Sequence, residues 1–116
     1  MNILFILNDP PYGTERSYNG LRLANALVTR EETHVRVFLM GDAASCAKAG
    51  QKVPSGYYSL ERMLSGVVRR GGEVAVCGTC MDARGLTDAE LTEGVRRGTL
   101  SELACWTAEA DTVLTF

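Results

Sequence analysis

Two rhythms of apolar residues alternate along this chain: short continuous runs, and stripes at helical spacing. Residues 2–7 form a nearly unbroken apolar run, as a parallel strand buried on both faces requires. Asn8-Asp9-Pro10-Pro11-Tyr12-Gly13 ends it, because two prolines and a glycine cannot continue a ladder. Thr14 is placed to cap a helix striped by Tyr18, Leu21, Leu23, Ala24, Leu27 and Val28, with Glu15 adding favourable charge in its first turn. Residues 34–40 read as the second strand, closed by Gly41-Asp42; residues 43–49 read as a short helix and residues 50–56 as a loop. Ser59 caps the clearest helix, in which Leu60, Met63, Leu64, Val67 and Val68 share a face and Gly71-Gly72 supplies a left-handed stop. Val74-Ala75-Val76 is the third strand. Thr87-Asp88-Ala89-Glu90 has the form of a capping box, with Leu86 and Leu91 as its staple, and opens a helix cut short by Gly94 and Gly98. A second box, Thr99-Leu100-Ser101-Glu102, opens a helix carrying Leu100, Leu103, Ala104 and Thr107 on one side, and residues 112–116 form the last strand.

This alternation predicts an α/β fold: a doubly wound, mainly parallel sheet of four to five strands with helices on both faces. Right-handed crossovers then put every strand's carboxyl end on one edge, where open α/β sheets bind ligands. Asn8 and Asp9, Gly41 and Asp42, Cys77 and Gly78 all belong to that edge. His34, the single histidine, starts the second strand and belongs to the opposite edge. A cysteine–histidine or serine–histidine hydrolase is thereby disfavoured, since a general base must lie within hydrogen-bond reach of its nucleophile.

Bulk properties narrow the class further. A length of 116 residues suits a single domain, 1–116. Hydrophobic residues at 46% and charged residues at 22% point to a globular chain and against disorder. A formal net charge of -2 gives no electrostatic case for nucleic acid or an anionic membrane. No apolar run is long enough to span a bilayer, and residues 1–7 lack the basic start and small-residue cleavage site of a signal peptide. The expected location is the cytoplasm, where four cysteines are free, redox-active or metal-bound rather than a disulfide framework.

The chemistry concentrates in residues 73–86. Cys77 stands where the third strand stops, and Gly78 and Thr79 allow a sharp turn into a helix. Free backbone N–H groups there, those of Gly78 and Thr79 in particular, together with the positive end of a helix dipole, favour thiolate over thiol. The blander reading of Cys77 is a packing thiol at a strand end. Cys80 completes a C-x-x-C, which reads as a redox or resolving partner or as a helix-face residue without chemistry. Cys46 and Cys105 lack the second paired spacing of a zinc site, so neither metal nor cofactor is expected. Asp9 and Asp42 suit the polarising of a ligand or the forming of turns; Tyr12 and Arg84 suit the wall and cation of a pocket, or packing and a surface salt bridge. Gly13-Thr14-Glu15-Arg16 matches no phosphate-binding loop. The Tyr57-Tyr58 pair suits packing before its helix or a contact between subunits.

Four segments together carry a resemblance. They are residues 8–16 leading into Asn19-Gly20-Leu21-Arg22-Leu23-Ala24; Gly41-Asp42-Ala43; residues 77–85, Cys-Gly-Thr-Cys-Met-Asp-Ala-Arg-Gly; and residues 98–104, Gly-Thr-Leu-Ser-Glu-Leu-Ala. In order and spacing the chain resembles the DsrE/DsrF-like sulfur-relay family, in its small single-domain YchN-like branch. The resemblance implies a doubly wound subunit that assembles into homotrimers or hexamers and meets sulfur-donor and acceptor proteins. It also implies a role for Cys77, which matches the cysteine that takes up sulfane sulfur as a persulfide in relay members. Cys80 departs from that pattern, since relay members carry a single cysteine there. Its attack on a Cys77 persulfide would release sulfide and leave a disulfide. The expectation is a sulfur carrier or sulfurtransferase-like subunit; the alternatives are a dithiol redox protein and a non-enzymatic small-ligand-binding or assembly subunit.

Overall fold

The computed structural model describes residues 1–116. Its strands are β1 (Asn2–Leu7), β2 (His34–Leu39), β3 (Glu73–Cys77), β4 (Val95–Gly98) and β5 (Thr112–Thr115). Its helices are α1 (Arg16–Leu27), α2 (Leu60–Arg69), α3 (Gly78–Ala83) and α4 (Leu100–Glu109), with 3-10 helices at Gly41–Ala47 and Asp88–Glu90. The strands form one sheet in the order β4-β3-β2-β1-β5. Every pairing is parallel, and the register sets Leu7 beside Leu39, Leu39 beside Val76, and Cys77 beside Gly98. The carboxyl ends of all five strands therefore lie along one edge.

Side-chain alternation divides the core into two unequal layers. Ile3, Phe5, Leu7, Val35, Val37, Leu39, Val74 and Val76 face α1, α2 and the first 3-10 helix. Leu4, Phe38, Ala75 and Cys77 face the other way, against Leu103 and Trp106 of α4. Cys77 is thus sent to the α4 face by its place one residue after Val76. Ser59 caps α2 as expected, accepting from the Arg62 N–H at 3.3 Å, a contact type worth about 1 kcal/mol. Gly71 follows with φ +93°, the left-handed conformation that closes the helix.

The structure corrects the sequence reading in several places. Residues 87–98 are not a helix broken by glycines. The Thr87–Glu90 capping box does form, but it holds a single 3-10 turn, and the chain then extends as the edge strand β4 beside β3. Its Val95-Arg96-Arg97-Gly98 sequence buries only Val95 and Gly98, so no apolar alternation marks it as a strand. Residues 41–47 are 3-10 rather than α-helical, with Ala43, Ala44, Cys46 and Ala47 all buried. Helix α1 begins at Arg16 with Glu15 at its N-cap; Thr14, one residue earlier, accepts the Arg16 N–H at 3.4 Å and donates to the Asp9 carboxylate at 3.2 Å. In α4 the buried residues are Leu103 and Trp106, while Leu100 is 71% exposed. Thr99 caps that helix, but Glu102 turns away from the box to pair with Arg96.

Candidate functional site

Cys77 is at once the last residue of β3 and the N-cap of α3. Its Sγ accepts the Cys80 N–H at 3.3 Å and lies 3.2 Å from the Thr79 hydroxyl. Cys80 has its own backbone donor: the Gly41 N–H points at its Sγ from 3.2 Å. Gly41 adopts φ +55°, and this turn at the end of β2 is what aims the N–H across the strand ends. Both sulfurs open onto one cavity of about 390 Å³, whose walls include Phe38 and Met40 from β2, Arg97 and Gly98 from β4, and Leu100.

The two thiols are tuned in opposite directions. Burial pushes the Cys77 thiol up, but hydrogen bonds from the Cys80 thiol, the Thr79 hydroxyl and the backbone N–H groups of Cys80 and Thr79 outweigh it, so its pKa falls below that of an ordinary cysteine. For Cys80, burial and then the hydrogen bond to Cys77 and the charge developing there push its pKa up, against the Gly41 N–H and the Arg84 charge. Of the pair, Cys77 is therefore the more readily ionised sulfur. The structure also refines which N–H groups serve Cys77. They are those of Cys80 and Thr79; Gly78 supplies space instead. A Cβ on Gly78 would sit 2.9 Å from the Arg97 guanidinium and 3.2 Å from the Gly98 carbonyl oxygen.

Arg97 is the site residue that sequence reasoning missed. It lines the cavity, donates to the Gly78 carbonyl at 3.1 Å, and pairs with Asp88 at 2.8 Å and Asp82 at 3.2 Å. The signal was Arg97-Gly98 at the carboxyl end of a strand, and it was hidden because β4 itself was read as helix. Arg84, the cation nearest in sequence, lies outside the cavity walls. It pairs with Asp42 at 2.7 Å and donates to the Cys80 carbonyl at 3.1 Å, so it ties the β2 loop to the end of α3.

The remaining candidates are placed elsewhere on the same edge. Asn8 closes the β1–β5 pair, its N–H donating to the Phe116 carbonyl at 2.8 Å. The Asp9 carbonyl accepts from the Ser17 hydroxyl at 2.6 Å, and its carboxylate meets Thr14 and Arg16, so Asp9 organises the start of α1. Tyr12 stacks on Tyr58 and donates to Gln51 at 2.6 Å, beside a separate cavity formed with Lys52, Val53, Pro54 and Tyr57. None of Asn8, Asp9, Tyr12 and Asp42 lines the thiol cavity. His34 sits at the far edge, its Nε2 2.6 Å from Glu73. Cys46 is fully buried, Cys105 is exposed, and no three His, Cys, Asp or Glu side chains converge as a metal site. No helix is long and apolar enough to cross a membrane.

The DsrE/DsrF-like family model matches residues 1–116. YchN of Escherichia coli (strain K12) is 44% identical over 115 residues, covering 98% of this chain and 97% of YchN. The uncharacterized protein MK0008 of Methanopyrus kandleri is 38% identical over 115 residues, covering 98% of this chain and 93% of its own. The crystal structure of the Escherichia coli YchN protein matches with a TM-score of 0.94 over 100% of this chain and 99% of that one, at 44% identity. MTH1491 of Methanobacterium thermoautotrophicum, a protein of unknown function, shares the fold at a TM-score of 0.78 and 13% identity, over 99% of this chain and 98% of its own. The family model spans the whole chain and YchN matches it at 44% identity, so the chain belongs to the DsrE/DsrF-like family.

Proposed function

We propose that this chain is a sulfur carrier that holds sulfane sulfur as a persulfide on Cys77. The observation that carries the reading is the donor set on one sulfur: the Cys80 N–H at 3.3 Å and the Thr79 hydroxyl at 3.2 Å, in a cavity open to a second molecule. Thiolate is the nucleophile in such exchange, and these donors shift Cys77 toward it. The Cys77 thiolate attacks the outer sulfur of a donor persulfide; the donor's S–S bond breaks, the donor leaves as its own thiolate, and Cys77 carries the extra sulfur. An acceptor thiolate then attacks that outer sulfur and Cys77 leaves as thiolate.

The chain works, on this reading, as one DsrE/DsrF-like domain, in the cytoplasm and as a homo-oligomer. Support for assembly comes from the uneven layers: α4 alone covers its side of the sheet, leaving Leu100 and Val113 exposed and Ile6 and Met40 part-exposed. Leu100 and Met40 are also cavity walls, so a second copy packed there would narrow access to Cys77. Incubation with a persulfide donor followed by intact-mass measurement tests the carrier chemistry. One added sulfur, absent in Cys77→Ser, is expected; no adduct, or an adduct that survives that substitution, overturns it.

A dithiol redox role is the second reading, favoured by Cys80 sharing the cavity and hydrogen-bonding to Cys77. Cys80 attack on the inner sulfur of the persulfide would expel hydrosulfide and leave a Cys77–Cys80 disulfide, which an external thiol must then reduce. The raised pKa of Cys80 opposes that attack and favours the carrier.

A further inference from the structure

Away from the thiols, helices α1 and α2 frame an open groove of about 560 Å³ whose only charged lining residues are arginines. Arg22, Arg62, Arg69 and Arg70 line it, with Tyr57 and Tyr58 at one end. The contrast with the rest of the chain is sharp. Arg16, Arg30, Arg36, Arg84, Arg96 and Arg97 are all within ion-pair distance of a carboxylate. The groove arginines are the remaining arginines of the sequence; all are exposed, and none has a carboxylate within 4.0 Å. No acidic side chain lines the groove; Glu93 shares only the adjoining cavity with Arg69.

The two helices of the groove are tied to each other, which lowers the cost of ordering it on binding. Asn25 joins its two helices by donating to the Leu21 and Met63 carbonyls at 2.9 and 3.0 Å. Gly66 keeps the floor low, since a Cβ there would come within 2.6 Å of the Asn25 side-chain oxygen. Tyr58 stacks on Tyr18 with ring centroids 4.0 Å apart, and the Arg22 guanidinium lies 5.6 Å from the Tyr18 centroid. Those ring faces are therefore occupied by each other and by Arg22, and are not free to stack nucleic-acid bases. Tyr57, 71% exposed, remains as an apolar contact.

We propose that the α1–α2 groove is the docking site for an acidic segment of a partner protein, its carboxylates on Arg62, Arg69, Arg70 and Arg22 and an apolar side chain on Tyr57. Guanidinium forks match carboxylates in bidentate geometry, and Arg with Tyr is the composition of protein-binding hot spots. The overall charge of -2 gives long polyanions no general attraction, so the groove's charge acts locally. The site is independent of sulfur chemistry.

The probe is a fluorescein-labelled peptide of alternating glutamate and tyrosine, titrated with the full chain at low salt and followed by anisotropy. Arg62→Gln/Arg69→Gln removes two groove charges whose side chains make no hydrogen bond within the chain, so thermal stability is unchanged. Binding weakens by roughly fivefold or more in that variant, and by less than about twofold in Arg16→Gln/Arg30→Gln, which removes equal charge elsewhere. Absence of peptide binding, or equal weakening in both double variants, overturns the proposal. So does tighter binding of a single-stranded oligonucleotide of equal charge, which would make the groove a nucleic-acid site. A change of sedimentation in the groove variant also overturns it, since the groove would then be a contact between copies. Cys77→Ser binds the peptide as the unaltered chain does, whatever the fate of the carrier reading.

Discussion

Cys46 and Cys77 are both buried thiols that follow strands onto the same sheet edge, and they differ in what surrounds the sulfur. Cys46 lies fully buried in the first 3-10 helix, with its Sγ donating to the Asp9 carbonyl at 3.8 Å. An acceptor suits a protonated thiol, and burial pushes its pKa up to about 12, more than the Ser17 hydroxyl and the Cys46 backbone N–H can offset. Cys77, 8% exposed, is met by donors instead, and its pKa moves the other way. Burial raises a cysteine's pKa and donors aimed at the sulfur lower it; at Cys46 burial wins, and at Cys77 the donors do. The difference traces to chain geometry. Cys77 caps a helix and collects N–H groups of its first turn, whereas Cys46 sits inside a helix with only its own backbone N–H and the Ser17 hydroxyl to set against complete burial.

The largest effect of this contrast is on reactivity. Alkylation by iodoacetamide at about pH 8, mapped by peptide mass in the folded chain, should be faster at Cys77 than at Cys46 by roughly 1,000-fold, because the rate follows the thiolate fraction. The exposed Cys105 serves as the accessible reference. Similar rates at Cys46 and Cys77 would dissolve the comparison.

How much of this difference was legible in advance depends on sequence separation. The strand-to-turn junction at Cys77 is written in consecutive residues, Val74 to Thr79, and reading it placed the thiol on the correct edge. His34 at the far edge was legible for the same reason, because it opens its strand. The Gly41 N–H on Cys80 spans 39 residues, and no local pattern announces it. Arg97 was lost with its strand, since an edge strand that keeps two arginines in solvent shows no alternation to read. Arg84 looked like the site's cation through nearness in sequence, yet its guanidinium turns toward Asp42. The unpaired groove arginines were individually visible, but only the folded arrangement of α1 against α2 brings them together.

A smaller effect tests the Cys46 half through stability. Its folded-state pKa of about 12 lies above the ordinary value of 9.0, so between these two values the unfolded chain releases a proton that the folded chain keeps. Unfolding is therefore favoured as pH rises. The stability is fully present below about pH 9, falls by up to about 1.4 kcal/mol per pH unit above it, and levels off past the folded pKa. Urea midpoints measured from pH 8 to 11 should decline for the unaltered chain and decline less for Cys46→Ala. That variant starts lower at pH 8, by about 1–2 kcal/mol, for the cavity it leaves. Parallel declines in the two chains would mean that some other group governs alkaline stability.

The smallest effects separate the groups that tune Cys77 from those merely near it. Thr79→Val removes a hydroxyl 3.2 Å from the sulfur, and alkylation of Cys77 near neutral pH should slow by roughly two- to tenfold, the range for one hydrogen bond. Arg84→Gln removes the ion pair with Asp42, whose side chains are 32% and 66% exposed, and costs at most about 1 kcal/mol of stability. Its charge acts on Cys80 rather than Cys77, so the Cys77 alkylation profile against pH should stay where it was. If Arg84→Gln slowed Cys77 as much as Thr79→Val did, the thiolate would owe its stability to a nearby cation. The contrast with Cys46 would then rest on net charge around the sulfur instead of on donors aimed at it.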